Sequence, residues 1–286
     1  MIALARSLSK NRRLLGDFVV RDLRGRYIGS SMGFFWSVVF PFLNLFIYMF
    51  VFGLVLGVRF GDRVPKGQVA LWMLAGITVW AAFGETISRS TNTLVENQNL
   101  IQKVVFPSEI LPAFLCVSSL INMLIGMVIV LVGVGTFMVF PDILGPVGPA
   151  ERQLSLGISL IALPVLFLAQ AIFTVGLGYL FAALNLFLRD VYHLVGVFIT
   201  VWMFATPIFW PPDIVLDPSH PEKMRFSWIL DINPMHWLIS CYREVLIFGA
   251  WPDWILLGKF ALIGLVLLFL GSRFFLSQKP QFPDLL

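Results

Sequence analysis

Long uncharged windows are the feature that most restricts what this chain can fold into. Five of them cover residues 27–58, 67–84, 110–141, 153–188 and 191–212, and a sixth, 254–272, is interrupted only by Lys259. A helix needs about 20 apolar residues to cross the roughly 30 Å hydrocarbon core of a bilayer. Because hydrophobic residues make up 58% of the chain and charged residues 13%, little is left for a water-soluble domain. The sequence predicts an all-α membrane protein with a single transmembrane domain over residues 1–286.

Each window predicts one membrane-spanning helix, which gives six transmembrane helices. The predicted spans are residues 34–58, 69–87, 110–140, 154–184, 191–210 and 254–272. The chain is thus divided into a cytoplasmic interfacial helix and hinge at 1–33, spans one to five at 34–210, an extracytoplasmic gate region at 211–253, span six at 254–272 and a cytoplasmic tail at 273–286.

Basic residues predict the orientation of the chain in the membrane. Seven of the 20 Lys and Arg residues precede Tyr27, and cytoplasmic loops are enriched in such residues. We therefore expect both termini in the cytoplasm of a multi-pass protein. Arg59, Arg63 and Lys66 oppose this orientation because they fall in a short loop assigned to the outside. The N-terminal cluster is larger and decides the assignment, and it explains the net charge of +4 without a nucleic-acid partner.

Residues 11–27 have the pattern of an interfacial helix. Apolar side chains such as Leu14, Phe18 and Leu23 recur at helical spacing between charged ones. Asp22 lies four residues before Arg26, a spacing that favours an ion pair on a helix. The alternative is a basic flank that only fixes orientation, but that interpretation leaves the apolar stripe unexplained.

The chain lacks the signature of a nucleotide-binding site. No G-x-x-x-x-G-K-[ST] sequence occurs, and the one Gly-Lys pair, Gly258-Lys259, is followed by Phe260 within a predicted span. If ATP drives this protein, another chain binds the nucleotide. We therefore expect no cofactor and no metal on this chain.

Catalysis and ion coupling are also disfavoured. The three histidines are scattered, and the carboxylates do not cluster as they do in membrane enzymes that transfer sugars. The strongly polar groups in the inner thirds of the spans are Asn44, Asn122 and Gln170. Ion-coupled carriers usually keep ionisable residues at that depth.

The segment at 211–253 does not have the pattern of a membrane-spanning helix. Six acidic residues and several prolines surround apolar runs that are too short to cross a bilayer. The most regular run, residues 233–248, places Trp237, Cys241, Val245 and Phe248 three or four residues apart. Such runs are typical of re-entrant or interfacial helices.

Four stretches in this order resemble one protein family. They are R-D-L-R-G-R-Y-I-G-S-S-M-G-F-F-W at 21–36, N-L-I-Q-K-V-V-F-P-S-E-I-L-P at 99–112, L-R-D-V at 188–191 and N-P-M-H-W-L-I-S-C-Y-R-E-V-L-I-F-G at 233–249. Nearly the whole chain is similar to the permease subunits of bacterial ABC exporters for O-antigen, capsule and teichoic acid.

The resemblance implies a half-transporter in the bacterial inner (cytoplasmic) membrane. Such a permease has six spans, an amphipathic helix before the first, and two short extracytoplasmic gate helices before the last. A second copy of the chain and two ABC ATPase subunits, which hold ATP and Mg, complete the exporter. The implied substrate is a lipid-linked polysaccharide.

A short helix between the second and third spans is predicted to contact the ATPase, and we call it the coupling helix. Its apolar residues would fill a groove in the ATPase while charged residues rim that groove. The alternative is a loop that packs on its own bundle, and the family resemblance favours coupling. The predicted coupling residues are Glu96, Asn99, Leu100, Ile101, Lys103, Val104, Phe106, Pro107 and Glu109.

Aromatic residues suggest a path for a glycan. Flat rings present a weakly polar surface to the C–H groups of sugars, so rings along a channel would let a polymer slide. In the family that the chain resembles, the channel lies between two copies and is bordered by the first and fifth spans. Tyr48 and Phe52 in the first span and Phe198 and Trp202 in the fifth are the predicted channel residues. The alternative for any one ring is a lipid-facing or core position.

Two further groups are predicted from their charges and positions. Arg21, Arg24 and Arg26 would meet the phosphates of an anionic lipid carrier or, alternatively, those of ordinary membrane lipids. Arg243 would bind a substrate phosphate or, as the favoured interpretation, hold its helix against a neighbour. The predicted gate residues are Asn233, Pro234, Trp237, Arg243 and Glu244.

The sequence thus favours a transport subunit that is not an enzyme and exports a lipid-linked polysaccharide. Two alternatives stay open: an ABC exporter permease for a small lipid or drug, and a membrane enzyme or scaffold of glycan synthesis.

Overall fold

The computed structural model describes residues 2–26, 35–56, 68–103, 106–140, 153–216 and 221–286. Regular structure in these ranges is helical, without strands, which confirms the predicted all-α class. Several predicted features lie outside the described residues. They are the hinge at 29–33, the loop cations Arg59, Arg63 and Lys66, the outer turn at 141–150, and Val104 of the coupling set.

Thirteen α-helices lie within the described ranges, together with short 3-10 segments at Ile158–Ala162, Pro212–Val215 and Lys279–Gln281 and a π-helical extension of α3 at Met49–Val55. The α-helices are α1 Ile2–Lys10, α2 Arg12–Gly25, α3 Trp36–Tyr48, α4 Val69–Glu96, α5 Gln98–Lys103, α6 Ile110–Val139, α7 Leu163–Phe187, α8 Val191–Ala205, α9 Pro221–Met224, α10 Trp228–Ile232, α11 Pro234–Leu246, α12 Trp254–Gln278 and α13 Phe282–Leu285.

Each of the six predicted spans contains a helix within the described residues, but the helix lengths differ from the predictions. In the described ranges, α4, α6, α7 with its preceding turn, and α12 are long and apolar enough to cross a membrane, whereas α3 and α8 are apolar but shorter. The predicted end of the fifth span at residue 210 is wrong, because α8 ends at Ala205. The second span continues to Glu96, and α12 continues to Gln278.

The polar end of α4 is helical and buried, and its threonine hydroxyls bond within the helix. Thr86 donates to the carbonyl of Ala82 at 2.8 Å, and Thr91 donates to that of Ile87 at 2.7 Å. Both threonines are buried, together with Ser90 between them. The predicted second span ended at residue 87, but the threonine hydroxyls have partners within the helix and this face packs against the protein, so the helix continues to Glu96.

Helix α4 is the centre of the bundle. It contacts α3, α6, α7, α8 and α11. The most apolar window of α4 is 67% buried, against 28% in α12, and its mean hydropathy is lower, 1.4 against 2.3. A helix that faces other helices in place of lipid tolerates small and polar residues, because packing and interhelical hydrogen bonds hold it. The lower hydropathy of α4 therefore reflects its central position.

Glycines bring α7 and α12 into backbone contact, and this pair has the most extensive interface in the described structure. A Cβ atom at Gly176 would lie 2.5 Å from the backbone nitrogen of Leu268, and one at Gly271 would overlap the carbonyl oxygen of Gly176. Gly264 similarly lies against the backbone of Phe173. Small residues allow such close approach between membrane helices. The two helices consequently behave as one packed unit.

The bundle has two different ends. Helices α1, α2, α5 and α13 lie at one end, which we call the basic end, and they pack with the cytoplasmic ends predicted for the spans around Phe114, Tyr179 and Phe275. Helices α10 and α11 lie toward the other end, where α11 contacts the beginning of α4 and of α12. We call residues 228–246, which comprise α10, Asn233 and α11, the hairpin.

The α7–α12 contact predicts a selective effect of one methyl group. Gly271→Ala should lower the thermal unfolding midpoint in detergent, since overpacking a tight interface costs about 1–3 kcal/mol. Gly258→Ala on the same helix is the matched control, because no atom lies within 4 Å of its Cβ position. Equal midpoints for the two variants would show that α7 and α12 are not in backbone contact.

Candidate functional site

The hairpin is shaped by Asn233 at the beginning of α11. The Asn233 side-chain oxygen accepts hydrogen bonds from the backbone N–H groups of Met235 at 3.1 Å and His236 at 3.3 Å. Pro234 occupies the first helical position, where a missing N–H group leaves no bond unmade. Trp237 donates its indole N–H to the carbonyl of Leu230 at 3.1 Å, which ties α11 back to α10. The sequence Asn-Pro-x-x-Trp therefore builds the turn.

The tip of the hairpin lies inside the bundle. Asn233 also accepts a hydrogen bond from the indole N–H of Trp202 at 2.9 Å, and the Trp202 ring packs against Trp80 and Phe83 at centroid distances of 5.8 and 5.3 Å. Trp80 follows the first residue of α4 by eleven positions, or about 16 Å of helix. These contacts place the hairpin tip among the helices of the bundle, and the choice between a re-entrant and an interfacial segment stays a prediction.

The short helix α8 depends on the hairpin for hydrogen-bond partners. Asn233 donates its side-chain N–H to the carbonyl of Ala205 at 3.3 Å and to the hydroxyl of Thr206 at 3.0 Å. Trp210 donates its indole N–H to the carbonyl of Phe204 at 2.9 Å. Helix ends leave carbonyl groups without partners, and hydrocarbon offers no water to replace them. Side chains at the end of α8 and at the hairpin tip meet that need.

Arg243 continues this bonding along α11. Its guanidinium donates to the carbonyls of Pro207 at 2.8 Å, Ile208 at 3.5 Å and Trp72 at 3.2 Å, and it stacks over the Trp72 ring at 3.9 Å. The residue is 1% exposed. A Cβ atom at Gly76 would lie 2.7 Å from its Nη2 atom, so glycine provides the space that the guanidinium occupies. Arg243 thus joins α11 to α4 and to the segment after α8, and it is closed to an external phosphate.

A second buried bond holds α11 against α7. Tyr242 donates its hydroxyl proton to the side-chain oxygen of Gln170 at 2.9 Å, and Gln170 donates to the carbonyl of Val79 at 3.2 Å. Gln170 was visible in the sequence as a polar residue deep in a span, but its partner Tyr242 carried no separate signal. Glu244, the last predicted gate residue, is partly exposed, and its carbonyl accepts from the N–H of Ala250 at 3.0 Å.

The predicted channel residues have different surroundings. Trp202 and Phe198 are neighbours at 5.1 Å, but Trp202 is enclosed by the ring cluster and bonded to the hairpin, whereas Phe198 is 49% exposed. Tyr48 lies 6.3 Å from Phe52 and 6.1 Å from Phe209, and Tyr48 and Phe52 are partly buried against the main core. Phe198 is therefore the member of the set with the most open ring.

A cavity with several polar residues in a mainly apolar wall lies between α3, α4 and α6. Its volume is about 240 Å³, and it contains two of the three deep polar residues noted in the sequence, Asn44 and Asn122. Thr78, Ser119 and Glu85 add further polar groups to its wall. The buried Ser119 hydroxyl has no hydrogen-bond partner in the described structure. The helices thus border a mainly apolar cleft that carries a few polar groups and extends to Glu85 near the basic end.

A group of charges fixes the interfacial helix α2 to the spans. Arg26 bonds to Glu85 at 2.6 Å and to Asp22 at 3.2 Å, while Arg89 bonds to Glu85 at 3.0 Å and to Asp22. Ser118 of α6 donates to the Asp22 carboxylate. The predicted Asp22–Arg26 pair is thus part of a larger cluster that also includes α4 and α6.

The electrostatics of this cluster favour ionised Asp22. Burial raises the pKa of the carboxyl, but hydrogen bonds from Arg89 and Ser118 and the charges of Arg89 and Arg26 outweigh burial and lower the pKa below its usual 3.8. The cluster also borders a cavity of about 430 Å³ that Arg21 lines. Of the three predicted phosphate-binding arginines, Arg26 is engaged in ion pairs, while Arg21 and Arg24 are exposed.

The predicted coupling segment forms a short helix, α5. Leu100 and Ile101 are half-buried and pack against the core at the basic end, as does Phe106, whose ring lies 5.7 Å from Phe18. Both side chains contact their own bundle, as in the alternative interpretation of this segment, and their placement in a groove of the ATPase stays a prediction. The exposed face of α5 and its flank is polar, with Glu96, Gln98, Asn99, Gln102 and Lys103.

Glu109 is also placed differently from the prediction. It is 3% exposed and does not belong to a charged rim. Its carboxylate bonds to Lys279 at 2.6 Å and accepts from Ser7, and its carbonyl accepts from the Tyr179 hydroxyl at 2.6 Å. Pro107 precedes it in the turn into α6, and its carbonyl accepts from the N–H of Ile110 at 2.9 Å.

Comparison with known proteins identifies the family. A sequence model described as ABC-2 type transporter matches residues 17–247, which run from α2 to the end of α11. The chain belongs to the ABC-2 type transporter family. This ABC-2 chain is therefore a transport subunit and a multi-pass membrane protein, in agreement with its apolar helices.

Three relatives of this ABC-2 chain extend over nearly its full length. The O-antigen export system permease protein RfbA of Myxococcus xanthus is 30% identical over 284 residues, 99% of each chain. RfbA of Klebsiella pneumoniae is 27% identical and covers 93% of this chain and 92% of its own. The polysialic acid transport protein KpsM of Escherichia coli is 20% identical and covers 91% of each chain.

The Arg243 contacts predict a large loss of stability when the guanidinium is removed. Arg243→Ala should lower the unfolding midpoint in detergent by the equivalent of about 2–4 kcal/mol, because three buried carbonyls lose a charged donor. Amide hydrogen exchange in α11 should also become faster. Arg225→Ala, which removes an exposed arginine close to the hairpin, is the control. Similar midpoints for both variants would contradict the assigned role.

The charge cluster predicts a pH-dependent contribution from Asp22. Because its pKa is lower in the folded protein, the stabilisation is complete above pH 3.8 and is lost as pH falls through the lowered value. Asp22→Asn should therefore unfold at a lower temperature than the native chain at pH 7, and the difference should shrink below about pH 4. Asp17→Asn changes an exposed carboxylate on the same helix and should show no such difference. A gap that is constant with pH would refute the electrostatic origin.

Proposed function

We propose that this chain is the permease half of an ATP-driven exporter that moves a lipid-linked polysaccharide across the bacterial inner membrane. The observation that carries the proposal is the match of 99% of the chain to a protein named as an O-antigen export system permease. A relative named for polysialic acid transport supports the same substrate class. O-antigen, capsule and teichoic acid are the substrates considered.

The proposed energy source is an ABC ATPase on a separate chain, which would hold ATP and Mg. The absence of a P-loop motif from the sequence supports this division of labour. Helix α5 is the proposed contact, since it lies at the basic end and exposes a polar face. Asn99, Gln102 and Lys103 are the residues proposed to contact the ATPase.

A second copy of the chain is the proposed partner within the membrane. Helices α3 and α8 support this arrangement, because each presents a run of exposed large apolar residues. On α8 these include Leu194, Val197, Phe198 and Val201. In the proposed homodimer all six apolar segments cross the membrane, both termini are cytoplasmic, and α3 and α8 border the glycan path.

The ends of the bundle suggest how a lipid-linked glycan passes. Exposed Arg21 beside the 430 Å³ cavity, together with exposed Arg24, provides cations for a phosphate of the lipid carrier at the basic end. At the other end the hairpin is proposed to act as a gate. Its tip reaches the rings of the bundle, so a shift of the hairpin would change the space beside Trp202 and Phe198.

The ATPase contact can be tested with purified proteins. The permease alone should hydrolyse no ATP, and hydrolysis should appear when its partner ATPase is added. Asn99→Asp combined with Lys103→Glu should reduce co-purification of the ATPase and abolish glycan export, because two exposed positions of α5 change toward negative charge. Lys223→Glu, on exposed α9, makes the same charge reversal as Lys103→Glu but away from α5, and it is the control for that change.

Two results would contradict the proposal. ATP hydrolysis by the permease alone would refute the separate ATPase. Export by the α5 double variant at the native rate, measured as glycan reaching the cell surface, would refute the coupling contact.

A further inference from the structure

Glu109 joins four separate parts of the chain at the basic end. It immediately precedes α6, and its carboxylate contacts Ser7 of α1 and Lys279, which follows α12. Its carbonyl accepts the Tyr179 hydroxyl of α7. The side chain of Glu109 is 4% exposed and that of Lys279 is 35% exposed, so the pair is partly shielded from water. Such a pair is screened less than a surface ion pair.

The segment after α12 lies against α5. Phe282 is completely buried, and its ring is 5.0 Å from that of Phe275 near the end of α12. Helix α13, which begins at Phe282, contacts α5, and the half-buried side chains of Leu100 and Ile101 pack into the same core cluster as Phe282. The inner face of α5 therefore rests on the C-terminal segment, 279–286, within a core cluster that also includes residues of α1 and α6.

Helix α12 then connects this region to the hairpin. It is continuous from Trp254 to Gln278. At its beginning, Asp253 caps the helix by accepting from the N–H groups of Ile255 at 2.8 Å and Leu256 at 3.1 Å. The carbonyl of Asp253 accepts from the Cys241 thiol of α11 at 3.6 Å. One helix therefore contacts the hairpin at its beginning and adjoins the α5 region at its end.

Close packing makes α12 suitable for transmitting a displacement. The glycine contacts bring the backbones of α7 and α12 together, and any separation of the two helices would break this backbone packing. A packed pair of helices moves more readily as a body than by internal deformation. A displacement applied at Lys279 is therefore carried to Asp253 and the hairpin.

We propose that the Glu109–Lys279 ion pair is a latch that transmits movement of α5 to α12 and, through α12, to the hairpin. Glu109 and Lys279 are positioning residues, and neither contacts the glycan or ATP. The inference rests on the proposed function, because it takes α5 as the ATPase contact. It adds a second route beside the direct connection of α5 to α4 and α6.

The experiment uses the full permease–ATPase complex and compares ATP hydrolysis with glycan export. Lys279→Glu should leave the complex assembled and hydrolysing ATP, while export falls about five- to tenfold, a range typical of energetic coupling between sites. The exchange of charges in Glu109→Lys with Lys279→Glu should restore most of the export. Lys10→Glu, at an exposed position of α1, is the matched control and should export normally.

Lys279→Gln is a second variant for use if Lys279→Glu does not reach the membrane. The glutamine variant removes the positive charge without adding a carboxylate. It should lower export at unchanged ATP hydrolysis. Native export by Lys279→Gln, or failure of the charge exchange to restore export in an assembled complex, would overturn the latch. If the native complex itself exported no glycan, the proposed function would fail instead.

Discussion

Backbone carbonyls at the end of α8 need hydrogen-bond donors from outside the helix, and the structure of the hairpin end depends on this need. Helix α8 is 15 residues long, or about 22 Å, and its last carbonyls have no partner within the helix. Asn233 and Arg243 supply donors to Ala205, Pro207 and Ile208. The short helix and the hairpin therefore require each other: without α11 the carbonyls lose their partners, and without α8 the guanidinium is buried with fewer acceptors.

The basic end is held by ion pairs between side chains, in contrast to the bonds to backbone carbonyls at the hairpin end. Here α2 contacts the spans through oppositely charged side chains, which are Asp22, Arg26, Glu85 and Arg89. The two ends share α4, whose first turns meet Arg243 and whose later turns meet α2. Its central position explains why the least apolar of the four long helices is the most buried.

The sequence predicted features that depend on local pattern and missed those that depend on tertiary partners. Hydropathy located six helical segments, and the apolar stripe located α2. The end of α8 was misplaced because a hydropathy window does not register that Asn233 and Trp210 accommodate an early helix end. Neighbouring residues gave no sign that Glu109 pairs with Lys279, 170 positions away. The role of Gly271 was equally hidden, since only the approach of α7 distinguishes it from Gly258.

The orientation of α5 has a consequence for how a partner would recognise it. A six-residue helix is too short to be stable alone, so Leu100 and Ile101 must face the bundle to hold its shape. Recognition is then left to the outward polar residues Asn99, Gln102 and Lys103. Polar interfaces suit partners that change their contacts during a working cycle, because separation exposes no large apolar surface. In the proposed exporter, apolar contacts would not hold the ATPase to α5. Force transfer through α5 would then depend on how rigidly its own bundle positions it, which would make the buried contacts of Glu109 and Phe282 important for coupling.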